Sequence, residues 1–255
     1  MGMDGILYED KAVIVCRKPA GFPTQTAKIG EPDMESALKN YLKSPYVGII
    51  HRLDQPVEGI LVFAKTKEAS AKLHAQNAGQ AMGKTYYAVV LPEEGKLWTE
   101  AAIAKPQSRI TDEAADGREY CLTDYLLKNG KENKSAVVDK ETPQAKRAEL
   151  SYRILRRLDA SVMGDGAAGG KHIFLLEVTL KTGRHHQIRV QLSHAGLPLL
   201  GDGKYGSPAS RAFAESCQIR DVALCACRLE FLHPVSGKRM VFTLEPSGAA
   251  FRPFF

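Results

Sequence analysis

Apolar and polar positions change over in short runs along this chain, and the runs suit strands and brief helices. Ala12-Val13-Ile14-Val15-Cys16, inside the mixed segment from Ile6 to Arg17, predicts a strand, and Lys18-Pro19-Ala20-Gly21 follows as a turn. Asp33-Met34-Glu35-Ser36-Ala37-Leu38 opens a short helix that Pro45 stops. Val47 to Ile50 and Ile60 to Ala64 are β-branched apolar runs, joined by the polar connection His51 to Gly59. Ala71, Leu73, Ala75 and Ala78 give a helical period over Lys67 to Met82, and Thr85 to Leu91 predicts the next strand.

In the second half, residues 107–147 are the least hydrophobic stretch, with Lys128 to Lys134 its most loop-like part. The stretch reads as a surface excursion inside one domain. Leu150 to Leu158 and Ile173 to Leu180 predict strands flanking the glycine-rich run Met163 to Gly170. That run has neither the G-x-G-x-x-G order nor a following Lys-Ser/Thr, so it reads as a hairpin tip and not as a phosphate cradle. Thr182-Gly183 turns the chain into Arg184 to Ala195, helical in its spacing of Ile188, Leu192 and Ala195, with Gly196 as its stop. Cys225 to Phe231 and Met240 to Leu244 predict two strands joined around Pro234-Val235-Ser236-Gly237. No repeat of fixed period is present. Many strands with a few short helices imply a single α+β domain over residues 1–255, built on a largely antiparallel sheet.

Composition narrows the class. At 255 residues, 44% hydrophobic and 25% charged, the chain has the balance of a soluble globular protein with a sizeable core. Its net charge of +6 and pI of about 9.0 suit a polyanionic partner. Five cysteines form an odd set without a C-x-x-C, and Cys225 and Cys227 alternate onto one face of a strand. Free thiols of a reducing compartment account for them. No apolar run reaches the ~20 residues of a membrane span, and MGMDGILYED has no basic n-region or h-region. The cytoplasm is the expected location.

Three places hold candidate chemistry. Asp54 stands where a strand leaves the sheet, after Arg52 and before a loop with Pro56 and Gly59, a setting that suits either a catalytic carboxylate or a turn-capping aspartate. Arg184-His185-His186-Gln187-Ile188-Arg189 is a cationic cluster at a helix start, where anions bind. Its histidines lack i+4 partners, an HExxH and a nearby acidic ligand, so no metal site is expected. Lys84-Thr85-Tyr86-Tyr87-Ala88 opens a strand whose alternation sends Tyr86 and Tyr87 to opposite faces, one toward a cleft and one toward packing. No G-x-S-x-G exists for a serine nucleophile, and Asp54 with Glu58 on one short loop makes a poor glycosidase pair.

Taken in order, the KPAG turn, His51-Arg52-Leu53-Asp54, KTYYA, TGRHHQIR, Leu200-Gly201-Asp202 with Lys204-Tyr205-Gly206, and Phe231-Leu232-His233-Pro234 with Ser236-Gly237 resemble the RluA-type family of pseudouridine synthases across nearly the whole chain. The resemblance implies an enzyme without cofactor or metal, with a mixed sheet, flanking helices and a central RNA-binding cleft. Asp54 matches the catalytic aspartate, Tyr86 the tyrosine that stacks on the target base, and Arg189 the basic partner of the aspartate. Arg52 matches the arginine that fills the gap left by the flipped uridine, and Leu224 or a neighbour supplies an apolar wall of the base pocket. Arg184, His186 and Lys84 are the further expected RNA contacts. The substrate would be ribosomal or transfer RNA, and the protein a monomer that does not engage membranes. Many relatives carry an N-terminal RNA-binding domain, which is expected to be absent here because the first strand begins within about ten residues of Met1. A departure lies after Asp54, where Val57-Glu58 replace the usual Thr-Ser; Glu58 would either repel phosphates or pair with a cation such as Lys65 or Arg184. The rival readings are a non-catalytic RNA-binding protein that keeps the cleft, and a hydrolase of a nucleoside or glycoside.

Overall fold

A computed structural model describes residues 5–26, 30–93, 118–164 and 171–255 of the protein. The chain divides into one unit of Met1–Thr85 with Cys225–Pro246 and another of Tyr86–Leu224 with Ser247–Phe255.

The first unit begins with β1 (Ile6–Glu9) antiparallel to β2 (Val13–Lys18). Helix α1 (Met34–Leu42) follows; Asp33 caps it, with Oδ1 accepting from Ser36 N–H at 2.7 Å, and a left-handed Lys43 ends it two residues before Pro45. Strands β3 (Gly48–Ile49) and β4 (Glu58–Ala64) pair antiparallel, and β2 lies along β4 from Val13 opposite Ala64 to Lys18 opposite Gly59. Every residue of β4 is buried, as its unbroken apolar run requires. Ile60, Val62 and Ala64 enter one core with Val13 and Val15, and with Ala69 and Leu73 of helix α2 (Lys67–Ala78). Each of the valine, leucine and isoleucine side chains among them contributes about 1.5–3 kcal/mol on burial.

The helical spacing predicts α2 as far as Met82, yet the helix stops at Ala78. Gln80 takes a left-handed φ of 59°, and Ala81 N–H reaches back to the Gln76 carbonyl at 2.9 Å. This closes the last turn, so Met82 enters the core from the loop before β5 (Gly83–Val90).

The second unit takes up the remainder of β5 together with β6 (Tyr120–Asn129), β7 (Lys134–Val138), β8 (Lys146–Asp159) and β9 (His172–Leu180), in the order β5-β9-β8-β6-β7. The pairs β6–β7, β6–β8 and β8–β9 are antiparallel. Helix α3 (Gln187–His194) places Val190 against Leu126 and Ala148 of this sheet, and Gly196 stops the segment in a left-handed conformation. Helix α4 (Pro208–Ser216) opens with a Ser207 cap and Pro208 in its first turn.

The described part of residues 107–147, from residue 118 on, is mostly sheet, formed by β6, β7 and the start of β8, where a surface excursion was expected. Within Lys128 to Lys134 only Gly130 to Asn133 form the hairpin turn, while β6 and β7 are polar because much of their surface faces water. Of the glycine-rich run, residues 165–170 lie outside the described residues.

Strands β10 (Leu224–Leu232) and β11 (Arg239–Thr243) complete the sheet of the first unit. β10 runs parallel to β4, with Cys225 opposite Glu58 and Ala226 opposite Gly59, and β11 pairs antiparallel with β10. Leu229 and Phe231 of β10 close the core over β4. The result is the expected α+β architecture with mixed, mostly antiparallel pairing.

Gly59 is the tight point of this arrangement. Its φ is +139°, and a Cβ there would lie 2.5 Å from the backbone nitrogen of Ala226 and 2.6 Å from its carbonyl oxygen. Gly59→Ala is expected to cost about 3 kcal/mol, combining backbone strain with overpacking. The check is a denaturation midpoint that falls at unchanged m-value.

Candidate active site

The connection between β3 and β4 turns sharply at Asp54, where Val57 N–H donates to the Asp54 carbonyl at 3.0 Å. Asp54 is half-buried, and the residues around it are tied to the segment after β2. Lys18 ends β2 with no exposed surface; its Nζ donates to the carbonyls of Pro19 (3.0 Å), Phe22 (2.7 Å) and Gln55 (2.9 Å). The Gln55 amide returns a bond to the Gly21 carbonyl at 3.1 Å, and Gly21 takes the left-handed φ of 77° that the KPAG turn requires. Arg52 is exposed and donates to Gln25 Oε1 at 2.6 Å, while Gln25 donates to Glu35 of α1 at 2.7 Å.

Glu58 settles one of the alternatives raised by its sequence position. It is buried, and its carboxylate accepts from Arg17 Nη2 at 2.9 Å. It pairs, but its partner is not Lys65, which binds Glu9 at 2.6 Å. The partner is set by sheet register: Arg17 lies opposite Ile60 on β2, one diagonal step from Glu58 and on the same face.

Lys84, expected as an RNA contact, is half-buried and donates to Asn77 Oδ1 of α2. Asn77 in turn donates to the Ile50 carbonyl at 3.3 Å, just before His51. Burial lowers the Lys84 pKa to about 8. Burial, and then the Lys84 cation, hold His51 down to about 3, so this imidazole is neutral at ordinary pH. These groups lie at the foot of the Asp54 loop.

In the second unit, Tyr86 and Leu224 are buried. Tyr87 turns the other way and packs on Phe255 with ring centroids 5.4 Å apart, as the strand alternation predicts. Arg189 is buried on α3, and Asp202 takes it in a bidentate pair, Oδ2 from Nε at 2.7 Å and Oδ1 from Nη2 at 2.8 Å. Burial alone would raise the Asp202 pKa; Arg189 and the backbone N–H groups of Tyr205 and Lys204 outweigh it and hold the carboxyl low. The Tyr205 ring lies under the guanidinium at 5.1 Å.

His186, left-handed at φ 54° before α3, bonds through Nδ1 to the Tyr205 hydroxyl at 2.7 Å. That hydroxyl also accepts from Ser135 N–H at 2.8 Å. His185 stacks on His186 at 3.7 Å and bonds to Ser135 and Asn133 of the β6–β7 hairpin. Arg184 is exposed and donates from Nε to the Arg147 carbonyl at 2.9 Å.

Sequence reasoning alone leaves Asp202, Tyr205 and Arg17 without roles. The first two stand in the motifs Leu200-Gly201-Asp202 and Lys204-Tyr205-Gly206, so the signal was present but its partners were not. Among the described residues no three His, Cys, Asp or Glu side chains form a cluster that could hold a metal, no helix is long and apolar enough to cross a membrane, and the five cysteines are free.

The family model described as RNA pseudouridylate synthase matches residues 12–194. Ribosomal large subunit pseudouridine synthase D of Zymomonas mobilis is 31% identical over 252 residues, covering 94% of this chain and 68% of that protein. tRNA pseudouridine synthase C of Vibrio cholerae is 27% identical over 239 residues, covering 92% and 88%. Among solved structures, human RNA pseudouridylate synthase domain containing 4 matches with a TM-score of 0.67 at 19% identity, covering 98% of this chain and 92% of that one. Domain containing 1 gives 0.68 at 18%, covering 95% and 83%. At such identity the two human structures speak for the fold.

Two outcomes follow from the charges. Breaking the Arg17–Glu58 pair by Glu58→Ser is expected to cost about 2 kcal/mol, below the usual range for buried pairs because Arg17 is partly exposed. An Arg17→Met/Glu58→Met double variant should recover part of that loss, which a double-mutant cycle measures.

The second outcome concerns His51. An unfolded imidazole titrates near 6.5, whereas His51 stays neutral to about 3. The unfolded chain therefore takes up the proton first as pH falls. Its contribution to stability, present above 6.5, is lost through that window, at most about 3 kcal/mol between pH 7 and 4. His51→Gln should flatten the pH dependence of unfolding free energy there, as denaturant titrations at stepped pH would show.

Proposed function

Because the chain belongs to the RluA-type family of RNA pseudouridylate synthases, we propose that it isomerises uridine to pseudouridine within structured ribosomal or transfer RNA, with Asp54 as the catalytic carboxylate. The names of its relatives, one acting on large-subunit ribosomal RNA and another on transfer RNA, support those two substrate classes. The observation that carries the reading is the Asp54 turn. A half-buried carboxylate sits on a loop whose flanking residues, Arg52 and Gln55, are both anchored by side-chain bonds. Preorganisation of this kind suits a group that must meet a ribose at a fixed angle.

The reaction breaks the glycosidic bond, turns the uracil and bonds its carbon 5 to the ribose. An ionised Asp54 would either attack the sugar or abstract a ribose proton, and both routes need the carboxylate unprotonated. Tyr86 is assigned to stack on the base and assist removal of the carbon 5 proton. Arg189 is assigned as the basic partner of the carboxylate; Asp202 engages two of its guanidinium N–H groups and fixes its plane. A uridine in a stem or loop must be flipped out to react. Exposed Arg52 is suited to fill its place, Leu224 to wall the base, and Arg184 and His186 to meet the RNA. Lys84, bonded to Asn77 of α2, is assigned as a further RNA contact. The reading takes residues 1–255 as one catalytic domain, acting as a monomer in the cytoplasm.

The test is tritium release from RNA labelled at uridine carbon 5. Asp54→Asn is expected to lower turnover at least about 1,000-fold, the scale of removing a catalytic nucleophile, with thermal stability and RNA affinity unchanged. Steady-state pseudouridine formation by that variant would remove Asp54 from the mechanism. Free uracil as product would mark a hydrolase, and RNA binding without turnover by the unaltered protein a binding module.

A further inference from the structure

We propose that Thr24 is a positioning residue for Asp54, acting through a single hydroxyl that holds the backbone of Leu53. The inference rests on the reading of Asp54 as the catalytic carboxylate.

The Thr24 side chain is buried, at 3% exposure, and Leu53 at 7%. Thr24 Oγ1 accepts from Leu53 N–H at 3.2 Å and donates to the Leu53 carbonyl at 3.1 Å. One hydroxyl thus satisfies both backbone polar groups of the residue before Asp54, a task otherwise done by a neighbouring strand. Thr24 is itself anchored. Its carbonyl accepts from Glu35 N–H at 3.2 Å, the Pro23 carbonyl accepts from Met34 N–H at 3.0 Å, and Thr26 N–H donates to Asp33 Oδ2 at 2.7 Å. The first N–H groups of α1, which have no partner within the helix, are spent on this segment. Support therefore runs from α1 through residues 23–26 to Leu53, and from Leu53 to Asp54.

Lys18 holds the other side of the turn through the Gln55 carbonyl. With the residue before and the residue after both fixed, Asp54 has little backbone freedom, and its carboxylate direction follows. Loss of the Thr24 hydroxyl frees the near side only. The fold keeps its core, since the groups lost are two hydrogen bonds and no apolar contact, but the angle at which the carboxylate meets the ribose relaxes. A displacement of about 1 Å at a reacting group lowers turnover by about 100-fold.

Three variants measured as steady-state tritium release, each below its own melting transition, decide the matter. Thr24→Val, isosteric but without the hydroxyl, is expected to lose about 10- to 100-fold in kcat with KM within about twofold, the split that marks a transition-state effect. Thr24→Ser is expected to keep kcat within about threefold, since the oxygen remains. In the unaltered protein the Leu53 amide should be strongly protected from hydrogen exchange, a measurement that needs no variant to fold. The proposal is overturned by a Thr24→Val enzyme with unchanged kcat, by a rise in KM alone, by a Thr24→Ser enzyme as poor as Thr24→Val, or by an unprotected Leu53 amide. Asp54→Asn separates the two levels. If it retains turnover, the catalytic reading fails and this inference with it; if it is inactive while Thr24→Val behaves as wild type, only the role of Thr24 fails.

Discussion

The ammonium of Lys18 has no exposed surface, and such a charge is tolerable only when its lost water is replaced. The carbonyls of Pro19, Phe22 and Gln55 do that at 2.7–3.0 Å. Those carbonyls belong to two different stretches of chain, so the same three bonds that satisfy the charge also join the turn after β2 to the turn at Asp54. Neither stretch has a ladder of its own. Remove the ammonium and both lose the group that makes their backbone polar atoms acceptable in the interior. The Gln55–Gly21 bond joins the same two stretches a second time, and Arg52 adds its own bond to Gln25.

The same economy explains how β4 carries a carboxylate inside a fully buried strand. Glu58 begins the strand where β10 starts to run beside it in parallel, and Cys225 stands opposite. Burial and the Glu58 carboxylate both push the Cys225 thiol up, and burial raises Cys16 to about 12, so neither sulfur is reactive at neutral pH. Arg17 neutralises Glu58 from the adjacent strand. Where the family resemblance leads one to expect two hydroxyls, this chain has a cross-strand ion pair, brought together by the register that sets Arg17 opposite Ile60.

How much of this could be read from the residues depends on whether the determinant is local. The limits of α1 were legible because Asp33 and Pro45 act within a turn of the helix they bound, and the stop at Gly196 was legible for the same reason. The strands β2, β4, β8, β9 and β10 announced themselves as apolar runs. Strands β6 and β7 did not, since much of their surface faces water and their composition is that of a loop. Helix α4 carried a local signal in its Ser207 cap and Pro208 that the reading of the residues leaves unused. Among the candidate residues, Asp54, Tyr86 and Arg189 were legible as members of ordered motifs. Their supports were not: Thr24 finds Leu53, Arg17 finds Glu58 and Asp202 finds Arg189 only once the sheet register and the loops exist.

Each unit carries one part of the candidate chemistry and fixes it internally. In the first, Lys18 and the segment before α1 hold the two sides of the loop that presents Asp54, and the Lys84–Asn77 pair holds the chain at Ile50, before His51. In the second, Arg189 is held on two sides, by the Asp202 carboxylate in the guanidinium plane and by the Tyr205 ring beneath it. Tyr205 is in turn held through its hydroxyl by His186 and by the backbone of Ser135 on the β6–β7 hairpin. A guanidinium constrained in both plane and face has little orientational entropy left to lose when it meets a second anion. In the role proposed for Arg189, the reorganisation cost is met during folding and not during turnover, which is the condition under which fixed charges act most strongly on a transition state.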